Sequence, residues 1–256
     1  MENYNETSEF QLRRKHITSY DSFQELQEAF DNFIDFFDNL EMLIGGRNIK
    51  PFIGKGKVYV FDTQLIRSAI FTLHSIKLCA EYGSISDCNT LMRKFRDDIF
   101  FYLYLLEVDN NQEILFDDSV STERVNEHKK QLVYVTDWFN NELRNFEFKR
   151  NIIGYLRKNE LVDQAIREHN IQSVWEKISK NLNNYVHNNG IKYCAINYEM
   201  VNQKNMEPML KDVVYKIEYI MLVFVALFIL IKPSYIMAAD YVDFLEASIT
   251  PPEGSQ

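Results

Sequence analysis

Between Tyr219 and Ile231 the chain runs for 13 residues without a charge, YIMLVFVALFILI, at the end of the longer stretch MEPMLKDVVYKIEYIMLVFVALFILI. Nothing else in the sequence restricts the fold as strongly, because such a segment must be shielded from water on nearly every side. A membrane-spanning helix needs roughly 20 apolar residues, whereas runs of about 10–14 more often mark a helix enclosed by protein. Lys232-Pro233 stops the run, and extending it to Ala239 would place both residues inside the span. The expectation is a central buried apolar helix near the C-terminus, with membrane attachment disfavoured.

The rest of the chain carries helical periodicity. In DSFQELQEAFDNFIDFFDNLEML, from Asp21, residues Phe23, Leu26, Phe30, Phe33 or Ile34, Phe37 and Leu40 fall three or four apart and so share one stripe. Asp21 or Ser22 caps its first turn, and Gly45-Gly46 ends it. GGRNIKPFIGKGKVYVF reads as a loop, with VYVF long enough only for a short strand. Its glycines and lysines do not form a phosphate loop, since GxxxxGK followed by Ser or Thr is absent.

Asp62 then caps a second helix running to Gly83, in which His74 reads as a core or boundary histidine. Ser84 and Ser86 start a third, SDCNTLMRKFRDDIFFYLYLLEV, with Leu91, Phe95, Ile99, Tyr102 and Leu106 in one stripe. An acidic polar loop is expected up to about Thr122, a fourth helix from about Glu123 to Phe148, and shorter helices over 150–169 and 171–187. A last helix is expected in SYIMAADYVDFLEASI. The pattern predicts an all-α protein with an N-terminal tail over 1–20, one helical domain over 21–250 and a tail over 251–256.

Several chemistries find no footing. Cys79, Cys88 and Cys194 form no CxxC and no Cys/His pair at zinc-ligand spacing, so neither a disulfide framework nor a metal site is expected. HExxH, GxSxG, GxGxxG and acidic metal clusters are absent, and no cofactor is expected. MENYNETSEFQLRRKH has no apolar stretch behind its basic residues, which points to a cytoplasmic protein.

The net charge of −9 hides an imbalance. Residues 1–44 hold 3 Lys or Arg against 10 Asp or Glu, whereas residues 144–192 hold 9 against 5. A local excess of this kind can steer an anion even on an acidic protein.

Within the basic stretch, VWEKISKNLNNYVHNNG places Lys180 and His187 seven residues apart, two helical turns, with Asn183 and Asn184 one turn before the histidine. A cation, two amides and an imidazole therefore share one stripe. Trp175, Ile178, Leu182 and Val186 form the opposite, apolar one. Asn188-Asn189-Gly190 tolerates the left-handed backbone of a helix end. Earlier, LMRKFRDDIFFYLY sets Arg93 and Asp97 at i and i+4, with Arg96 beside them, against aromatic residues. The plainer reading makes the first group a helix cap and the second a solvated Arg-Asp face.

The order Lys180-Asn181, five residues, His187 resembles the signature of the HEPN superfamily, helical bundles in which Arg, often followed by Asn, Asp or His, is separated from His by four to six residues. Asn181 and His187 fit that pattern, while Lys180 stands where Arg is expected. An ammonium lacks the planar fork that grips a phosphate through two parallel hydrogen bonds.

The resemblance implies a HEPN-like core over about 62–231 and an RNA-directed bacterial protein of the toxin or phage-defence kind. It further implies a metal-independent endoribonuclease in which the RNA 2′-hydroxyl attacks the adjacent phosphate. His187 would transfer the proton, and Lys180, with Arg93 or Arg96, would hold the phosphate. Asn181 completes the motif, and Asp97, Asn183, Asn184 and Asn188 would line the substrate site. A homodimer and a protein antitoxin are the implied partners. The rival expectation is a non-catalytic helical module that binds a partner protein or a nucleotide.

Overall fold

A computed structural model describes residues 6–45, 52–54, 57–59, 63–198 and 206–233. Among them the helices are α1 (Glu6–Ile17), α2 (Asp21–Gly45), α3 (Gln64–Glu81), α4 (Ile85–Asn110), α5 (Thr122–Phe139), α6 (Gly154–Leu156), α7 (Glu160–Glu168), α8 (Ile171–Val186), α9 (Ile191–Cys194) and α10 (Met206–Ile231). A 3-10 turn occupies Gln112–Phe116, and a π-helical turn occupies Phe148–Ile153. The remaining regular structure is a small antiparallel pair, β1 (Phe52–Gly54) and β2 (Lys57–Tyr59), in which Ile53 faces Val58. The architecture is all-α.

The chain divides into two compact units, each assembled from separate stretches of sequence. The first takes Met1–Asp38, Gln64–Ile99 and Ile166–Val223. The stripe anticipated for α2 is its core: Phe23, Leu26, Phe30, Ile34 and Phe37 are buried, and Phe37 meets Phe95 of α4 edge to face at 5.8 Å. The α3–α4 turn is built by Gly83, whose φ of 72° lets its N–H reach Ala80 O while Ser84 N–H reaches Cys79 O. These two bonds satisfy carbonyls that the helix end would otherwise leave bare.

The second unit takes Asn39–Thr63, Phe100–Ala165 and Phe224–Gln256. Its core is aromatic. Phe101 packs on Trp138 with ring centroids 5.0 Å apart, and Tyr104 meets Phe146 and Tyr155. Being buried, the Tyr104 hydroxyl needs a partner, and it donates to Gln131 Oε1 at 2.9 Å. The last turn of α10 is held by α4: Asn110 Nδ2 donates to Ile231 O at 2.7 Å, and Lys232 pairs with Asp109 at 3.0 Å.

Helix α10 spans 26 residues and is long and apolar enough, by length and composition, to cross a membrane. Of its most apolar stretch, 56% is nevertheless buried inside the protein, as in a core helix. Its buried side includes Val213, Ile217, Ile220, Phe224 and Phe228.

Several expectations need correction. Residues 6–17, read as part of a tail, form α1, which is anchored by fully buried Ile17 and by an Arg14–Glu81 ion pair of 2.9 Å. The helix expected to reach Phe148 stops at Phe139, because Asn140 caps it and Asn141 turns left-handed at φ 59°. The polar stretch before Thr122 contains the 3-10 turn, followed by Ser121 capping α5. His74 is exposed rather than in a core or at its boundary, and Val186 is half-buried. Asp62, Gly46, SYIMAADYVDFLEASI and the tail at 251–256 lie outside the described residues.

Candidate functional site

Helix α8 owes its orientation to one face. Trp175, Ile178, Leu182 and Tyr185 recur at three- and four-residue spacing and are buried, which turns Lys177 and Lys180 outward. The helix closes at His187, whose backbone N–H bonds to Asn183 O at 3.0 Å. Asn188 then takes a left-handed φ of 48°, and the chain returns through α9. Asn184 Nδ2 donates to the Tyr193 hydroxyl at 2.9 Å, and Asn189 Nδ2 donates to Asn184 Oδ1 at 3.1 Å. The amides of the asparagine cluster thus fix the helix end against the returning chain.

Beside this end is a cleft of about 280 Å³, bordered by Lys177, Lys180, Asn181 and Asn184 of α8 and by Asp212, Tyr215 and Lys216 of α10. Lys216 is its least expected member. Only 3% of it is exposed, yet its ammonium is well served: it donates to Asn89 Oδ1 at 2.8 Å, bonds Asp212, and lies 5.5 Å from the centroid of the Tyr185 ring. Burial lowers its pKa, while the Asp212 carboxylate acts the other way and favours the charged form. Burial also pushes the Tyr185 hydroxyl up to about 12, so that ring stays neutral near pH 7. Asn181 Oδ1 and Asn183 Oδ1 are sheltered acceptors without a hydrogen-bond partner.

Three lysines against one aspartate make this cleft cationic. It has the chemistry to hold an anion, through exposed ammonium groups of Lys177 and Lys180 and the more firmly placed charge of Lys216.

The residues singled out from sequence are distributed unevenly. Lys180, Asn181 and Asn184 border the cleft; His187 is exposed at the C-terminal end of α8, Asn183 is half-buried, and Asn188 forms the turn. Arg93, Arg96 and Asp97 form a different group. Arg96, 3% exposed, bonds Asp97 through Nε at 2.9 Å and Nη2 at 2.5 Å and sits 5.8 Å over the Trp175 ring. Arg93 Nε lies 3.7 Å from Asp97 Oδ2. Trp175 precedes His187 by 12 residues, about 18 Å along a helix. Arg96 is therefore stacked on the opposite half of α8 and has its charge turned inward.

The cations that sequence reasoning missed are Lys177 and, above all, Lys216. The signal for Lys216 was available in VVYKIEY, where a lysine falls in register with Val213 and Ile220, both on the buried face. Asp97 and Asp98 also separate, since Asp98 pairs with Lys94 and accepts from Ser68 at 2.9 Å. Among the described residues no three His, Cys, Asp or Glu side chains come together as a metal-ligand set.

Fold and site define an all-helical protein with a lysine-lined cleft beside the C-terminus of a helix. No protein-family model, no curated protein and no solved structure matches this chain.

Proposed function

We propose that the protein is RNA-directed, holding the phosphate backbone in the α8–α10 cleft and cleaving it without a metal, with His187 at the helix end as the proton-transfer group. The observation that carries this reading is the convergence of Lys177 and Lys180 of α8 and Lys216 of α10 on one cleft, beside the helix that ends in the exposed His187. An imidazole reached by solvent has the chemistry to pass a proton to or from a reacting group, and ammonium groups stabilise the charge that grows on a phosphate under attack. Lys216 takes the phosphate-holding part that Arg93 and Arg96 had in the sequence-based expectation. The resemblance to the HEPN signature supports the same reading and brings with it a homodimer and a protein antitoxin.

The test is incubation of the full chain with a fluorescent single-stranded RNA in EDTA. Cleavage that disappears in His187→Ala while RNA binding persists is the expected result. Undiminished cleavage in that variant rules the assignment out.

A second reading, binding without cleavage, is favoured by one feature. His187 does not border the cleft, and its main chain already caps α8. On that reading RNA or a nucleotide binds, no product forms, and Lys180→Ala weakens binding while His187→Ala leaves it unchanged.

A further inference from the structure

The second unit contains a larger cavity, about 450 Å³, where the end of α4, the 3-10 turn, the start of α5 and the segment from Tyr155 to Leu161 meet. The proposed function leaves it without a role. Two buried side chains on its wall are incompletely served by the protein.

His128 is 2% exposed, and both of its ring nitrogens are buried without a hydrogen-bond partner. A neutral imidazole carries one donor and one acceptor, and leaving both unmet inside a protein is uncommon and costly. Glu107, 6% exposed, receives hydrogen bonds from side-chain amides, Asn111 Nδ2 at 3.0 Å, Asn159 Nδ2 at 3.2 Å and Asn110, and makes no ion pair among the described residues. Of the neighbouring cations, Lys158 pairs with Glu127 at 2.8 Å and Lys232 with Asp109 at 3.0 Å, Lys232 still favouring the charged form of Glu107 from a distance; Arg124, also on the cavity wall, makes no ion pair with Glu107. A carboxylate withdrawn from water without a cation is an unbalanced charge.

We propose that this cavity is a binding site for a small aliphatic amine, whose primary ammonium sits between Glu107 and His128. The chemistry is complementary. An ammonium offers three donors and no acceptor, a carboxylate only accepts, and the unprotonated nitrogen of a neutral imidazole also accepts. Burial acts on His128 in the same sense by disfavouring its charged form. Ile114, Leu161 and the Tyr155 ring give an alkyl chain apolar wall to lie against. A phosphate or carboxylate ligand would meet the acceptor-only carboxylate of Glu107, and the volume falls within the range of small-molecule sites. The site is independent of the α8–α10 cleft and of the RNA reading.

Isothermal titration of the full chain with putrescine tests the proposal, at ionic strength matched with sodium chloride and with tetramethylammonium as a cation lacking N–H donors. Saturable binding is expected, at least tenfold weaker in Glu107→Gln and also weakened in His128→Asn, with no binding of tetramethylammonium. Circular dichroism establishes that each variant is folded. If Glu107→Gln does not fold, a putrescine-dependent rise in the melting temperature of the unaltered chain, diminished in His128→Asn, supports the site. Absence of saturable binding, equal affinity in a folded Glu107→Gln, or equal binding of tetramethylammonium overturns it.

Discussion

The ammonium of Lys216 on α10 donates a 2.8 Å hydrogen bond to Asn89 Oδ1 on α4, and both residues are buried. Asn89 spends its own Nδ2 on Ile85 O at 2.8 Å, so Lys216 is what satisfies its carbonyl oxygen. The bond links the packing of two long helices to the charge of the cleft.

Lys216→Met leaves Asn89 Oδ1 buried and unmet, and a destabilisation of about 1–3 kcal/mol is expected. The double variant Asn89→Leu/Lys216→Met removes both polar ends and should recover much of that loss. Urea unfolding of the four proteins in the cycle measures the coupling. RNA binding should be weakened in both proteins lacking Lys216, separating its role in stability from its role in the cleft.

Lys177 and Lys180 are exposed and close no buried network, so Lys177→Ala and Lys180→Ala are expected to shift stability by less than about 0.5 kcal/mol. Each should instead lower the slope of log affinity against log salt by about 0.7 for single-stranded RNA. Filter binding across a salt series reads both the affinity and the slope. Unchanged slopes would place the phosphate contacts elsewhere.

Arg96 behaves differently, because its guanidinium is packed on Trp175 and bonded to Asp97. Arg96→Ala should cost about 2–4 kcal/mol through lost packing and the lost cation–π contact. The folded fraction should bind RNA with unaltered affinity, as measured by anisotropy at a temperature where the variant is native.

Gly83 has a φ of 72°, and a Cβ added there would come within 2.6 Å of Tyr198 Cβ and 2.8 Å of Ile17 Cδ1. Gly83→Ala should therefore destabilise the protein by more than about 1 kcal/mol, through backbone strain and the clash together. The drop in melting temperature checks it.

His128 introduces a pH dependence whose sign follows from its burial. Burial holds its pKa below 6.5, so the unfolded chain takes up a proton near that pH while the folded chain does not. The contribution is complete above pH 6.5 and is lost as pH falls below it, by at most about 1.4 kcal/mol per pH unit. Glu107 works in the opposite direction: burial raises its pKa, so it gains stability on acidification. Comparing His128→Gln with the unaltered chain isolates the first effect. The variant's relative stability should rise between pH 6.5 and 5.5 in urea melts.

The α2 and α4 stripes and the apolar run at the end of α10 were legible because helical hydrophobic patterning is a local property, though the run is buried over only part of its surface, with Leu222 exposed. Phe23, Leu26, Phe30 and Phe37 announce a buried face whatever they pack against. Helix α1 escaped notice because its sequence, ETSEFQLRRKHI, is nearly devoid of such a stripe and gains its anchor from Glu81, far along the chain. At the site, the spacing of Lys180, Asn181 and Asn184 on α8 was visible, since one helix carries all three. That Arg96 would turn toward Trp175, and that Lys216 would supply the missing cation, was not.

Sequence alone settled the all-α class and most of the long helices with their buried stripes, because both depend on residues within a turn or two of one another. Tertiary structure decided where the charges go: Lys216 meets Asn89 across 127 positions, and Glu107 meets Asn159 across 52. The physical reason is that a buried ionic or polar group is governed by the partners that replace its lost water. Those partners come from distant parts of the chain, and no local periodicity encodes them.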